Sequence, residues 1–263
     1  MPSEAVKVRN SANWFDIEPL APGLFGIGEF GYCEEVISFL ILGANSALLI
    51  DTGTGFFSMR DAVHSLTQLP TSVINTHSHF DHVGSNFEFE KVALFDHPDN
   101  RRVAEHGFTE EYLAKWSTNE RFLDHPPDDK CSPYRIRSFK HARYFEDDEV
   151  VEALFPSLFA FHTPGHSDDS VCFFDRERGW LFSGDLLYNG PIFIERTGGL
   201  AKFRRSIAKI TTLEGLTHIW SSHNDFEFSL DSLRVVERAL EEISSEDLEE
   251  EVSLGGRLRL VPS

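Results

Sequence analysis

Residues 75–82 read Asn75-Thr76-His77-Ser78-His79-Phe80-Asp81-His82, and they directly follow the apolar run Ser72-Val73-Ile74. Imidazole and carboxylate groups together suit zinc or a similar first-row divalent metal. In an extended loop that leaves a strand, residues i and i+2 point the same way, so His77 and His79 can reach one ion. Asp81 and His82 are adjacent and must diverge, and a second ion beside the first would use both. The stretch therefore predicts a metal site, with surface histidines in a polar loop as the alternative.

Composition and charge restrict the class of protein. The chain has 263 residues, 41% hydrophobic and 25% charged, which predicts one globular domain over residues 1–263 with a sizeable core. Its formal net charge is −19, from 24 basic and 43 acidic residues. Nucleic-acid binding depends on basic residues that neutralise phosphates, so no nucleic-acid partner is expected. Docking on anionic membranes is disfavoured for the same reason.

The cysteines and the N-terminal residues bear on the compartment. Cys33, Cys131 and Cys172 are odd in number, and their spacing fits neither a metal motif nor a disulfide framework. A reducing compartment suits such a chain. The first residues have no basic region followed by an apolar run, so no signal peptide is expected, and no stretch approaches 18 apolar residues. These features predict a cytoplasmic protein with no membrane-spanning segment.

Apolar runs and helical patterns alternate along the chain, which is typical of an α/β (or α+β) fold with helices covering a sheet. Helices are predicted at residues 59–69, 83–88, 200–210 and 233–243 from apolar residues at helical spacing. Pro19 and Pro22 are expected to interrupt the first two strands. Strands are predicted at residues 14–17, 24–27, 36–42, 47–50, 72–75, 91–95, 143–145, 149–153, 158–162, 170–175, 179–182 and 217–220.

Residues 97–144 differ in character from the rest of the chain. Charges, prolines and helical patterns mix there with seven aromatic residues, among them Phe108, Trp116 and Tyr134. This pattern predicts a mostly helical insertion. It would be either a cap over the metal site or an ordinary packed elaboration of the fold.

Three further candidate ligands each stand just past a predicted strand. They are His166 in Thr163-Pro164-Gly165-His166, Asp185 in Ser183-Gly184-Asp185, and His223 in Ser221-Ser222-His223. Open α/β folds place their sites where strands end at one edge of a sheet. The three side chains could therefore converge with those of residues 77–82.

Together with Asp51-Thr52-Gly53, these blocks resemble the metallo-β-lactamase-fold hydrolases, in the family's own order and over residues 51–223. The resemblance implies a four-layer αββα sandwich with two mixed β-sheets. It implies that one metal is held by His77, His79 and His166. A second metal would be held by Asp81, His82 and His223, with Asp185 as the bridge between the two. Asp51 would orient the ligand loops without touching a metal.

Departures from better-known branches narrow the resemblance. β-Lactamases of this fold commonly use a cysteine ligand and have no bridging aspartate, so antibiotic hydrolysis is disfavoured. Flavo-diiron enzymes carry glutamate where His79 stands, and charge disfavours the nuclease branches. The run from Ser183 to Gly190 is similar to the S-G-D-x-x-Y-x-G run of acyl-CoA thioesterases with this fold. Acyl-homoserine lactonases place a tyrosine at the offset of Tyr188.

The expected activity is therefore hydrolysis of an ester, lactone or thioester in a small molecule with an apolar acyl part. Two divalent ions, zinc first with iron or manganese as alternatives, would lower the pKa of a bridging water so that hydroxide attacks the carbonyl. The Tyr188 hydroxyl would stabilise the negative charge on the carbonyl oxygen, unless it merely packs beside the site. Asp81 would assist proton transfer to the leaving atom.

Two other functions stay open at this point. Iron in the same ligands would give an oxidoreductase that resembles persulfide dioxygenases, and a third reading is a non-catalytic binding member of the fold. A homo-oligomer is compatible with the sequence. Weaker features include the basic residues Arg196, Lys202, Arg204 and Arg205, which form either a contact for a substrate phosphate or carboxylate or a solvated helix face. The remaining histidines, including His162 and His218, are expected to be structural or exposed.

Overall fold

A computed structural model describes residues 8–9, 14–123, 134–139, 142–151, 155, 157–243, 245 and 248–263. The chain divides into two compact units, Met1–Tyr144 and Phe145–Ser263. Part of the predicted insertion lies outside the described residues, as do Cys131, His125 and His141. The single-domain organisation stays a prediction.

The first unit is built on an eight-stranded mixed sheet whose strands lie side by side in chain order. Strands β1 to β5 pair antiparallel, whereas β5, β6 and β7 pair parallel. Parallel neighbours need a crossover connection, and helix α1 lies in the one between β5 and β6. The strands are β1 Val8–Arg9, β2 Asp16–Ala21, β3 Leu24–Gly28, β4 Ile37–Leu42, β5 Ala47–Ile50, β6 Thr71–Ile74, β7 Val92–Phe95 and β8 Ala142–Phe145.

The described residues of this unit include four α-helices: α1 Met59–Leu66, α2 Phe80–Val83, α3 Pro98–His106 and α4 Glu110–Leu113. Short 3-10 turns follow at Asn86–Glu88, Ala114–Trp116 and Asn119–Arg121. Helix α1 is shorter than the predicted 59–69, because Thr67 is already extended and its N–H donates to Val63. The buried side of α1, Met59, Ala62 and Val63, is the side that the apolar spacing predicts.

The described residues of the second unit form two mixed sheets. Five strands lie in the order β14-β13-β11-β10-β9, and three in the order β12-β16-β15. Their bounds are β9 Leu158–His162, β10 Val171–Asp175, β11 Trp180–Phe182, β12 Pro191–Ile194, β13 His218–Trp220, β14 Glu227–Phe228, β15 Val252–Gly255 and β16 Leu258–Pro262. Helices α5 Gly199–Thr211 and α6 Leu230–Glu242 pack on an apolar core with these strands.

The α/β class with mixed sheets is confirmed, and three details of the prediction are wrong. Strand β2 runs through Pro19, so this proline does not interrupt the strand; among the described residues, β1 pairs with Asp16 and Ile17 and not with Pro19. The described part of the predicted strand 149–153, residues 149–151, contains only an isolated bridge at Val150, and residues 152 and 153 lie outside the described residues. The prediction of two sheets misses the three-stranded sheet.

Helix α2, which carries two of the predicted ligands, packs tightly on the chain that leaves β5. The N–H of Gly84 donates to Gly53 (2.9 Å), and the N–H of Thr52 donates to His82 (2.8 Å). A Cβ on Gly84 would lie 2.1 Å from the carbonyl carbon of Thr54. Only glycine therefore fits at this approach. Within the described residues, no helix is both long and apolar enough to cross a membrane.

We expect Gly84→Ala to lower the free energy of unfolding by about 3 kcal/mol or more, because the added methyl meets backbone and cannot be accommodated by a rotamer change. Gly198→Ala is the control: its φ is +70°, but its Cβ would meet nothing within 4 Å. That change should cost about 1–2 kcal/mol, from backbone strain alone. Chemical denaturation of both variants measures the difference. Equal losses of stability in the two variants would show that the backbone at Thr54 moves away from the added methyl group without cost.

Candidate metal centre

Asp51 is a buried carboxylate at the exit of β5, and it organises the loop that follows β6. Its φ is +61°, a conformation that Asp tolerates better than most residues. It accepts hydrogen bonds from Thr76 N (2.8 Å), Thr76 Oγ1 (2.7 Å), His82 Nδ1 (2.9 Å) and Asn75 Nδ2 (3.3 Å). A carboxylate that is fully buried needs such donors to offset its desolvation.

These bonds determine the tautomers of two histidines. An ionised carboxylate only accepts, so His82 carries its proton on Nδ1, where it meets Asp51. The single proton of the Thr76 hydroxyl goes to Asp51, so Thr76 Oγ1 accepts from His77 Nδ1 at 3.1 Å. Both neutral imidazoles then present a lone pair at Nε2, the atom that a metal would take.

The predicted ligands of the first unit lie together. The ring centroids of His77 and His79 are 4.5 Å apart, and those of His77 and His82 are 4.1 Å apart. Asp81 and His82 lie in helix α2, which begins at Phe80 with His79 as its N-cap, whereas the sequence predicts a helix at residues 83–88. His82 Nε2 lies 3.8 Å from Asp81 Oδ2. This correction changes the local geometry, while the four side chains stay candidate ligands.

The second unit brings its own three predicted ligands together. Asp185, in a 3-10 turn directly after β11, is 6% exposed. Its Oδ2 lies 3.0 Å from His223 Nε2 and 3.4 Å from His166 Nε2. His166 Nδ1 donates to the Phe193 carbonyl at 3.1 Å, so a neutral His166 also presents its lone pair at Nε2.

The arrangement fits divalent metal ions. In both units a histidine donates from Nδ1 to an acceptor while its Nε2 lone pair faces a carboxylate oxygen: His82 faces Asp81, and His166 faces Asp185. A lone pair and a carboxylate oxygen that face each other repel. Their contact becomes favourable only when a positive charge lies between them. Ligand atoms about 2.1 Å from one tetrahedral ion stand roughly 3.4 Å apart. The described side chains that could hold a metal include His77, His79, Asp81, His82, His166, Asp185 and His223.

A buried polar network, which the sequence did not predict, supports helix α2, the helix that carries the candidate ligands Asp81 and His82. Asn75 Nδ2 donates to the carbonyl of His82 (2.8 Å), and Asn86 Nδ2 donates to Asn75 Oδ1 (2.9 Å). Thr52 Oγ1 in turn donates to Asn86 Oδ1 at 2.8 Å. All of these residues are buried. The only signal in the sequence is that polar residues stand where β5 and β6 end, which does not reveal their pairing.

Glu29, just after β3, is a second buried carboxylate that the sequence does not single out. It accepts from Trp14 Nε1 (2.8 Å), Thr54 N (2.8 Å) and Thr54 Oγ1 (2.5 Å). Burial raises the pKa of Glu29 from 4.5 to about 7, although the hydrogen bonds from Thr54 and Trp14 lower it. Glu29 thus holds Thr54 in place by hydrogen bonds. Thr54 is the residue against which Gly84 packs at the end of helix α2.

We expect the stability difference between the wild type and Glu29→Gln to depend on pH. Because the pKa of Glu29 in the folded state exceeds its ordinary value, the stabilisation is complete below pH 4.5 and is lost as the pH rises to about 7. The wild type should lose about 3 kcal/mol relative to the variant across this window. Urea unfolding of metal-free protein at pH 4 and pH 8 measures it, with the exposed Glu90→Gln as control. A difference that stays constant would contradict the raised pKa.

Tyr188 lies beside the site but does not present a free hydroxyl. Its ring centroid is 5.1 Å from that of His223. The side chain is 4% exposed. Its hydroxyl donates to the carbonyl of Pro191. To stabilise a substrate oxyanion, Tyr188 would first have to give up that bond. The predicted catalytic role stays a prediction.

Two of the four basic residues that the sequence singles out, Lys202 and Arg204, make contacts within the protein. Lys202 is ion-paired with Asp168 and Glu195. The Arg204 guanidinium donates to backbone carbonyls around the end of α6, at Leu240, Ile243 and Ser245. Arg196 and Arg205 are exposed. Lys202 and Arg204 are therefore already paired within the protein. Of the four basic residues, Arg196 and Arg205 stay candidates for a contact with a substrate phosphate or carboxylate.

Two of the remaining histidines have structural contacts, as the sequence predicts. His162 Nε2 lies 2.8 Å from the carbonyl of Asp168, and the ring of His218 stacks on that of Trp220 at 5.3 Å.

Known proteins are similar to this chain in sequence or in fold. The acyl-coenzyme A thioesterase MBLAC2 of Gallus gallus is 31% identical over 199 residues, which are 70% of this chain and 69% of that protein. The Homo sapiens protein of the same name is 27% identical over 197 residues, 70% of each chain. A metallo-beta-lactamase family protein from Thermus thermophilus, TTHA1429, has the same fold, with a TM-score of 0.63 and 24% identity over 85% of this chain and 81% of that one.

The family assignment rests on most of the chain. A model of the metallo-beta-lactamase superfamily matches residues 32–233. These residues include Asp51, the His77–His82 motif and the candidate ligands as far as His223. The order of the motifs, the mixed sheets and the ligand geometry agree with this match. The chain belongs to the metallo-beta-lactamase superfamily.

Proposed function

We propose that this protein is a dinuclear metal-dependent hydrolase whose substrate is an acyl thioester, with coenzyme A thioesters as the first class to test. The observation that carries the proposal is the pair of histidines, His82 and His166, whose Nε2 lone pairs face carboxylates. The name of the MBLAC2 relatives supports a thioester bond. A lactone or oxygen ester asks for the same attack on a carbonyl and stays within the proposal.

The ligand sets of the two units would serve one pair of ions. Catalytic zinc sites use about three protein ligands per ion and leave one position open. Among the described residues of the second unit, His166, Asp185 and His223 belong to the groups that could hold a metal, and three ligands are too few for two ions. We assign His77, His79 and His166 to one ion and Asp81, His82 and His223 to the other. Asp185 would bridge them, because both His166 and His223 approach the same oxygen, Oδ2.

Bound divalent ions would supply Lewis acidity and lower the pKa of water towards 7. The protein's own contribution is to hold its imidazoles in the ligating tautomer, through Asp51 for His82, Thr76 for His77 and Phe193 for His166. Asp81, which is 6% exposed, is the carboxylate that would carry a proton to the leaving sulfur or oxygen. An apolar acyl part is expected in the substrate.

The test is a substrate panel with metal content measured on the same sample. The panel contains short- and long-chain acyl-CoA, a glutathione thioester, an N-acyl homoserine lactone and a p-nitrophenyl ester. Released thiol or acid is followed before chelation, after chelation and after zinc is restored. We expect thioester turnover that disappears on chelation and returns with about two zinc ions per chain.

Each other outcome overturns a stated part of the proposal. Full turnover by metal-free protein would remove the metal mechanism. One iron per chain with oxygen consumption would indicate an oxidoreductase instead. Two bound metals with no turnover of any substrate on the panel would indicate a binding protein. Faster turnover of the lactone than of every thioester would reassign the substrate class and leave the metal centre in place.

A further inference from the structure

Strand β12 is an edge strand, and its outer side has unusual partners. In the three-stranded sheet β12 pairs only with β16, and among the described residues no other strand lies beside it. The carbonyls of Gly190 and Ile194 accept from the β16 side, from Arg259 N (3.1 Å) and Ser263 N (2.8 Å). Because backbone groups alternate in direction along a strand, Pro191, Phe193 and Glu195 turn theirs to the outer edge.

Side chains and loop backbone form hydrogen bonds with the backbone groups of this outer edge, in place of a further strand. The Tyr188 hydroxyl donates to the Pro191 carbonyl and accepts from Phe193 N at 3.4 Å. The Phe193 carbonyl accepts from His166 Nδ1 at 3.1 Å. Glu195 N donates to the Gly165 carbonyl at 2.9 Å. Tyr188 and His166 thus hold consecutive groups of one strand edge, which would otherwise be exposed and unpaired.

The hydroxyl of Tyr188 has a single proton, and Pro191 receives it. The same oxygen accepts the N–H of Phe193, so the bond fixes the peptide groups on either side of Ile192. The Phe193 carbonyl, which orients His166, belongs to the residue that Tyr188 holds by its N–H. Loss of the hydroxyl would therefore loosen the acceptor that sets the tautomer and direction of His166.

We propose that Tyr188 is a positioning residue for the ligand His166, acting through the edge of β12, and not a donor to the substrate oxyanion. This proposal rests on the proposed function only in taking His166 as a metal ligand. The two roles make different predictions. A positioning residue changes metal affinity, whereas loss of an oxyanion donor lowers kcat by about 100-fold or more with metal binding intact.

The experiment is a titration of metal-free protein with Zn²⁺, followed by calorimetry, and with Co²⁺, followed by its visible absorption. We expect Tyr188→Phe to bind one of two ions about tenfold more weakly than the wild type, with an altered cobalt spectrum. Its kcat should recover when zinc is saturating. Tyr112→Phe, at a tyrosine that is 47% exposed, is the matched control and should bind both ions as the wild type does.

Wild-type zinc affinity in Tyr188→Phe, whether kcat falls or not, would overturn the proposal. If the wild type itself binds no zinc, the proposed metal centre fails, and the titration shows that separately. Should Tyr188→Phe not fold, hydrogen exchange of the Phe193 amide in the wild type decides. Protection well above that of a free edge amide is expected, since Tyr188 accepts its proton. Exchange at the rate of an unprotected amide would contradict the positioning role.

Discussion

Replacing Asp185 with asparagine is expected to lower kcat/KM for the preferred thioester by more than about 100-fold, because removal of a group that only orients a ligand already costs about 10–100-fold. Asparagine keeps the size of the side chain but loses its negative charge. Both His166 and His223 approach Oδ2 of Asp185, so the proposed pair of ions would lose the carboxylate that we assign as its bridge. We expect bound zinc to fall below two per chain.

The matched control for this prediction is Asp175→Asn. Asp175 is also buried in the second unit, at 2% exposure, but it pairs with Arg178 and caps the turn that begins there. Its replacement should lower stability and leave zinc content at the wild-type value. An Asp185→Asn enzyme with two zinc ions and full activity would remove Asp185 from the proposed centre.

Replacing Asp51 with asparagine should weaken zinc binding by about 10–100-fold, although Asp51 is assigned to no metal. An amide NH₂ opposite His82 would donate to Nδ1, which would move the imidazole proton to Nε2, the atom that ligates. If the amide oxygen faces His82 instead, the NH₂ group takes the place of Oδ1 and meets two donors, Thr76 N and Asn75 Nδ2. Either arrangement leaves a buried group unsatisfied and costs about 1–3 kcal/mol of stability.

Zinc titration and thermal unfolding of Asp51→Asn measure the two effects, with Asp61→Asn as control. Asp61 is exposed in the first turn of α1, so its change should affect stability by only a few tenths of a kcal/mol. Unchanged zinc affinity in Asp51→Asn would mean that Asp51 does not set the tautomer of His82.

Much of the fold was predictable because its signals are local. The apolar runs of β4, β5, β9 and β10 are continuous in sequence, and helices α5 and α6 have clear helical spacing. Strands β12, β15 and β16 were missed, although they are no shorter than β11 and β13, which were predicted. Strand β12 finds its partner β16 more than 60 residues later, and no local pattern reveals such a pairing.

By itself, the sequence determined which side chains are candidate ligands and where they stand, because ligand chemistry is a property of residue type and strand ends follow from apolar runs. Only the tertiary structure decided what holds those ligands in position. The tautomer of His82 depends on Asp51, 31 residues earlier, and that of His166 on a backbone carbonyl 27 residues later. The role of Tyr188 likewise depends on which group receives its one proton. Hydrogen-bond direction is set by the three-dimensional neighbours of an atom, and sequence periodicity carries no information about them.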